Sequence, residues 1–375
     1  MKLSFLVLAL LATAVLPAGA MGLELGGFAS LGGGQATYPR DSELYTSRED
    51  WPWFASFRLL AEVGDGPLHL TANFLESAAA LPPLASYLTE QMGMEVERSS
   101  ALTWEQHDSS ASRAALGADV LALQYRASTF DVNLGRQPVS LATTFYFVPN
   151  DFFAPFAAHS FFRTYRPGVD GLRADLRLAP LSQLTVLAVL AYTPDPDSTN
   201  GWSRGPEWSR TTLLAAYNRE WRGFGWSLLG GTFSDRTLVG CGLQGEFFDW
   251  LGVRAEGHYA RAEQSGAGEG GRFALGFEHS YADNFDWRLE YYYNGYSNGA
   301  AIYQDRHYAA LGFGYQFTPL LTGGLVGLAD LSDGSQLLSS NLLYSLSDEA
   351  ELALTVVLPQ GRQPAGPAAG SEFRR

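Results

Sequence analysis

From Gly22 onward the chain alternates apolar with polar or small residues, in stretches of about ten residues closed by turn signals. Trp287, Leu289, Tyr291 and Tyr293 alternate with Asp286, Arg288, Glu290 and Tyr292. His307, Ala309, Leu311, Phe313, Tyr315 and Phe317 oppose Arg306, Tyr308, Ala310, Gly312, Gly314 and Gln316. Side chains along a strand point to opposite faces, so each stretch predicts a strand with one apolar and one polar or small face. A helix, repeating at 3.6, cannot keep that pattern. It predicts about seventeen strands: 23–32, 53–63, 67–76, 116–127, 129–138, 169–178, 183–193, 210–221, 224–234, 237–248, 251–262, 271–282, 285–296, 306–317, 320–331, 335–346 and 349–358. No linker interrupts them, so residues 21–360 form one domain and 361–375 a Gly/Pro/Ala-rich tail.

Strand length decides between architectures. A soluble sandwich uses strands of about five or six residues, whereas these have the roughly ten needed to cross a bilayer at a tilt. Aromatic residues cluster beside the short turns, as at Trp221, Phe224 and Trp226, at Phe247, Phe248 and Trp250, and at Tyr315 and Phe317. Longer connections (33–52, 77–115, 139–168, 194–209, 263–270, 297–305) fall at the opposite ends. Short turns with an aromatic girdle on one side and long loops on the other define an all-β, transmembrane antiparallel barrel of about 16–18 strands. An even strand number requires either a further strand hidden near Glu95–Glu105 or one strand fewer.

Composition agrees. The 375 residues are 46% hydrophobic and 13% aromatic but only 17% charged, and mean hydropathy is −0.06. Apolar and wet faces, interleaved, average to such values. A single cysteine, Cys241, excludes a disulfide scaffold and reads as a small wall residue. The formal net charge of −14 argues against nucleic acid as a partner. Lys2 is the only lysine among 25 basic residues; the arginines reflect codon usage or a choice of fixed charges. Residues 1–20 read as a cleaved secretory signal: Lys2, an apolar run from Leu3 to Leu16, and a small-residue site at Ala18-Gly19-Ala20. The expected location is the outer membrane, in contact with its lipid.

If the apolar faces meet lipid, the opposite faces line a wet lumen. The pore-lining candidates are Arg58, Arg126, Arg173, Asp175, Arg177, Arg254, Glu256, Arg288 and Glu290. They form either ordinary ion pairs on a wet wall or a basic side (Arg58, Arg126, Arg173, Arg177) facing acids, a transverse field that orients solutes. The connection 139–168 carries nine aromatic residues, more apolar area than an exposed loop displays. It is expected to fold inward as a constriction, with Asn150, Asp151, Phe153, His159, Arg163 and Arg166 as candidate lining; an external cap is the alternative.

Leu134-Gly135-Arg136-Gln137-Pro138-Val139, then Val148-Pro149-Asn150-Asp151-Phe152-Phe153, then Arg166-Pro167-Gly168-Val169-Asp170-Gly171-Leu172-Arg173 resembles a group of porin-like outer-membrane barrels of Gram-negative bacteria. In that group a GRQ strand leads into an N-P-x-D-x-F loop, and a PGVD segment opens the next strand. The order of Asn and Pro is altered here. The resemblance implies a porin-like barrel and no particular solute, and Gly370-Ser371-Glu372-Phe373 looks like a loop that precedes a last strand in such proteins.

Enzymatic chemistry finds no support. The six histidines are dispersed, and no G-x-S-x-G, H-E-x-x-H or C-x-x-C-H motif occurs. Glu256, His258 and Glu278 share a face and read as a lumen ion-pair cluster rather than a metal or hydrolytic site. Neither a catalytic residue, a metal nor a cofactor is expected. Two functions remain: passive diffusion of small hydrophilic, anion-leaning solutes, or a structural sheath around a multihaem cytochrome partner.

Overall fold

The computed structural model describes residues 22–38, 49–80, 97–109, 112–194, 203–262, 269–281, 284–295, 303, 305–362 and 372–374. The expected signal segment and most of the tail lie outside the described residues. Eighteen strands form one sheet. They are β1 (Gly22–Gly33), β2 (Trp53–Asp65), β3 (Leu68–Ala80), β4 (Thr103–Asp108), β5 (Ser112–Arg126), β6 (Phe130–Gln137), β7 (Val169–Ala179), β8 (Ser182–Val189) and β9 (Thr212–Trp221), followed by β10 (Phe224–Phe233), β11 (Arg236–Phe247), β12 (Leu251–Ala262), β13 (Gly270–Tyr281), β14 (Phe285–Asn294), β15 (His307–Thr318), β16 (Leu321–Asp330), β17 (Gln336–Ser347) and β18 (Ala350–Gln360). Every recorded pairing is antiparallel, and each strand pairs with the next in sequence, with one exception. β3 skips β4 and pairs with β5 directly. This is a transmembrane antiparallel β-barrel, and β1 and β18 stand at the two ends of its ladder.

β4 is the strand that an even number requires inside 77–115. It is only six residues long and pairs with the first part of β5, from Thr103 opposite Gly117 to Asp108 opposite Arg113. β6 takes the remainder of that edge, from Leu121 opposite Arg136 to Arg126 opposite Asp131. The two short strands thus share one side of β5, stacked end to end.

The period-two faces sort as the sequence predicts. On the outward side Leu213, Leu228, Val239, Leu289, Leu311 and Leu342 are exposed, ready for lipid. Inward neighbours Leu214, Leu229, Leu238, Glu290, Ala310 and Asn341 are buried. Cys241 is exposed on the outer face. Trp221, Phe247, Phe248, Trp250 and Phe317 ring the short-turn end in exposed positions. One expected strand breaks early: 183–193 ends at Val189, and Tyr192–Pro194 instead pairs with Ser203–Pro206 in a separate ribbon. Leu190 N–H still donates to Asp170 O (2.9 Å), which extends the β7–β8 register by one residue before the chain departs.

Candidate constriction site

β6 and β8 have eight residues each, so the wall ends partway up and the chain after Gln137 turns into the barrel. Arg136, 1% exposed, holds the neck of this loop. Its Nε donates to Asp170 Oδ1 (2.6 Å) and its Nη2 to Asp170 Oδ2 (3.0 Å) and Ser99 O (2.7 Å). Nη1 donates to Ala118 O (3.1 Å), and Ser99 N–H donates to Asp170 Oδ2 (2.7 Å). A buried guanidinium is tolerable when its fork is satisfied in this way. The backbone closes up around the pair. Gly135 has φ +122°, and a Cβ there would strike Leu121 O; one on Gly168 would strike Asp119 O. The Arg and Asp of the two sequence segments that flank the loop are therefore partners across its base.

Inside, the loop is a second core. Val139 and Phe153, with Leu141 and Phe152, pack on the inward Leu187, Leu214, Leu229, Leu238 and Ala260. Tyr146, Phe147 and Ala158 pack on Ala274, Tyr292, Tyr308, Ala310 and Leu328. Phe147 stacks on Tyr292 at 5.1 Å and 10°. Tyr146, Phe147 and Phe153 are thus buried against the inner wall, with Phe145, Phe152 and Phe161 packed partly buried beside them, while Phe162 and Tyr165 stay exposed. The loop folds inward rather than capping the barrel from outside.

Two wall carboxylates pin the loop through its backbone. Glu256 Oε2 accepts from Thr143 N–H and from Thr144 N–H (3.1 Å), and Oε1 from Asn150 N–H (2.9 Å). Glu290 Oε1 accepts from Phe145 N–H (2.6 Å), and Oε2 from Tyr146 N–H (2.7 Å) and Phe147 N–H (2.9 Å). Successive N–H groups converging on one anion form a nest, the arrangement that compensates a desolvated carboxylate. Both glutamates are nearly sealed, at 1% and 2% exposed. Asn150, fully buried, donates Nδ2–H to Cys241 O (3.1 Å) and sets Oδ1 3.1 Å from His258 Nδ1.

The other expected loop residues brace the loop itself. Arg163 Nε donates to Ser160 O (2.9 Å), Nη2 to Ala158 O (2.8 Å) and Nη1 to Phe145 O, and its guanidinium lies 4.3 Å from the Phe145 ring. Arg166 pairs with Asp151 and lies over the Phe156 ring. Burial raises the Asp151 carboxyl above the usual carboxylate range, against the pull of Arg166. Burial, then the nearby Arg163 charge, lowers the His159 imidazole. Burial also pushes the Tyr146 hydroxyl up to about 12.

The expected pore-lining set divides. Arg58 is buried, donating to Asn73 Oδ1 and Asp119 Oδ2 (both 2.8 Å), with Tyr165 stacked over it. Arg126 stays exposed and donates to Gln124 Oε1 (2.8 Å). Arg173 and Asp175 pair at 2.7 Å, and Arg177 pairs with Asp131. Arg254 and Arg288 both reach Glu278 (2.8 and 3.1 Å), and Arg288 also reaches Asp286 (2.7 Å). The expected cluster Glu256, His258 and Glu278 is not one site, since Glu256 serves the loop and Glu278 the arginines.

Between the loop and the short-turn end lie two adjoining cavities. The first, about 740 Å³, is lined by Arg173, Arg177, Gln183, Thr185 and the loop segment Ser140–Thr143, with Glu220 as its one acid. The second, about 810 Å³, is lined by Glu246, Asp249, Glu278 and Asp286, with Arg254 and Arg288. They share Glu220, Gly225 and Gln244. Arg173 and Arg177 thus occupy one side and most acids the other, while Arg58 sits outside both.

A barrel with a long loop docked in its lumen and wet cavities beneath is the fold of outer-membrane porins. No protein-family model and no curated protein matches the chain, but solved structures do. OpdK of Pseudomonas aeruginosa, solved with vanillate, aligns with a TM-score of 0.54 and 12% identity over 91% of this chain and 94% of its own. A BenF-like porin from Pseudomonas fluorescens Pf-5 aligns with a TM-score of 0.56 and 11% identity, covering 94% and 96%. OccAB4 of Acinetobacter baumannii gives 0.54 and 11%, covering 90% and 91%.

Proposed function

We propose that this chain is a porin-like channel of the bacterial outer membrane, exported by residues 1–20, through which small hydrophilic solutes diffuse passively. The observation that carries this reading is the docked loop: it narrows the lumen and leaves charged, solvent-sized cavities beneath it. Arg173 and Arg177, each paired with one aspartate, line one cavity, while Glu246, Asp249, Glu278 and Asp286 outnumber Arg254 and Arg288 in the other. This asymmetry supports a transverse field whose less acidic side admits anions. The cytochrome-sheath reading needs the space that the loop fills, so the channel is preferred. Purified protein reconstituted in planar bilayers, with no partner present, is expected to give discrete open steps. A KCl gradient should yield a reversal potential displaced toward that of chloride. A silent bilayer, with a haem protein that co-purifies, would overturn the channel.

A further inference from the structure

At the long-loop end, three segments far apart in sequence converge: the entry to β15, the turn 331–335 between β16 and β17, and residues 372–374. Glu372 N–H donates to Asp333 Oδ2 (2.6 Å) and Phe373 N–H to Ser335 Oγ (3.3 Å). Tyr308, inward on β15, lies opposite Asp330 in the ladder. At this junction Asp305, Asp330 and Asp333 bring carboxylate oxygens within 4.8 Å of one another.

Proximity of acids alone would mean little, but Asp330 adds a separate observation. It is 1% exposed. Its Oδ1 shapes the turn by accepting from Ser332 N–H (2.7 Å) and Asp333 N–H (3.3 Å). Its Oδ2 is equally sealed from solvent and has no hydrogen-bond partner among the described residues. A desolvated carboxylate oxygen beside two further carboxylates calls for a compensating positive charge.

We propose that Asp305, Asp330 and Asp333 bind a calcium ion that clamps the outer ends of β15, β16 and β17 together. An all-oxygen, all-carboxylate set selects a hard cation over zinc, which favours nitrogen and sulfur. Calcium accepts irregular coordination completed by carbonyls and water, whereas magnesium demands a near-ideal octahedron. The affinity expected of such a surface-end site is that of extracellular calcium modules, about 10⁻⁴ to 10⁻³ M.

Tyr308 supplies a built-in reporter, since its hydroxyl accepts from Asp305 N–H at 2.6 Å. The detergent-purified full chain, stripped with chelator, is titrated with terbium while tyrosine is excited. Saturable sensitised emission, displaced by calcium, is expected. Asp330→Asn should weaken it about tenfold or more, because ligand charge sets affinity in such sites. Glu246→Gln, an acid of the lumen, should leave it unchanged. Heat-modifiable gel mobility verifies that each variant is folded, and Asp333→Asn replaces Asp330→Asn if the latter does not fold. Absence of emission from the wild-type chain would overturn the proposal, as would emission indifferent to both aspartate variants. Conductance plays no part in this readout, so failure of the clamp and failure of the channel are separate results.

Discussion

Glu256 and Glu290 show how much a single residue's role depends on what arrives opposite it. Their inward parity is legible in the sequence, and so is a wet lumen; what the alternation cannot show is that six loop N–H groups come to meet them. The sequence signal that goes with the docking is small residues on the same inner face: Gly242 stands opposite Glu256 and Gly276 opposite Glu290. A Cβ on Gly242 would approach Thr143 Oγ1 to 2.8 Å. Glu290→Ala strands three N–H donors. The expected cost is on the order of 3 kcal/mol or more, read as a lowered unfolding midpoint and a larger, noisier single-channel conductance. His159 yields a pH prediction. Its imidazole titrates below the ordinary 6.5 when folded, so the unfolded chain binds the proton first as pH falls. Stability contributed by neutral His159 is complete above about pH 6.5 and drains away as pH drops toward the folded value. His159→Gln should flatten that part of a stability-versus-pH curve measured by denaturant titration; an unchanged slope would remove His159 from the account.

At the level of elements, strand lengths and turn positions follow from the alternation because every strand is solvated by lipid on one face and by lumen on the other. Where a third environment intrudes, the pattern fails. β8 stops at Val189 and β6 at Gln137 because the loop neck intervenes, and β4 is too short to show a period. The neck itself rests on a close backbone approach around Arg136 and Asp170. Gly135→Val would force a branched side chain into Leu121 O at a positive φ. The expected result is loss of the heat-modifiable, folded band on gels, whereas Leu134→Val, on the exposed outer face of the same strand, should retain it.

For the whole molecule, the barrel class was readable because composition, strand length and girdle placement all report the same solvent geometry. Which arginines face one another was not, since that depends on register and on a loop that covers some and spares others. Arg58 and Arg173 look alike in sequence, yet one is locked to Asp119 and the other opens onto a cavity of about 740 Å³. The double substitution Arg173→Gln with Arg177→Gln should therefore move the reversal potential toward that of the cation, while Arg126→Gln moves it little. Equal shifts from both would mean that net charge, rather than the segregated wall, sets selectivity.

The six docking contacts are made by amide protons, which any residue except proline possesses. Those six contacts are consequently blind to side-chain identity, and selection on the segment falls instead on Tyr146, Phe147 and Asn150, whose side chains also seat the loop on the wall. Aperture chemistry can be rewritten at loop positions outside that packed set, such as the exposed Phe162, so that one scaffold serves solutes of different size and charge without relearning how to fold.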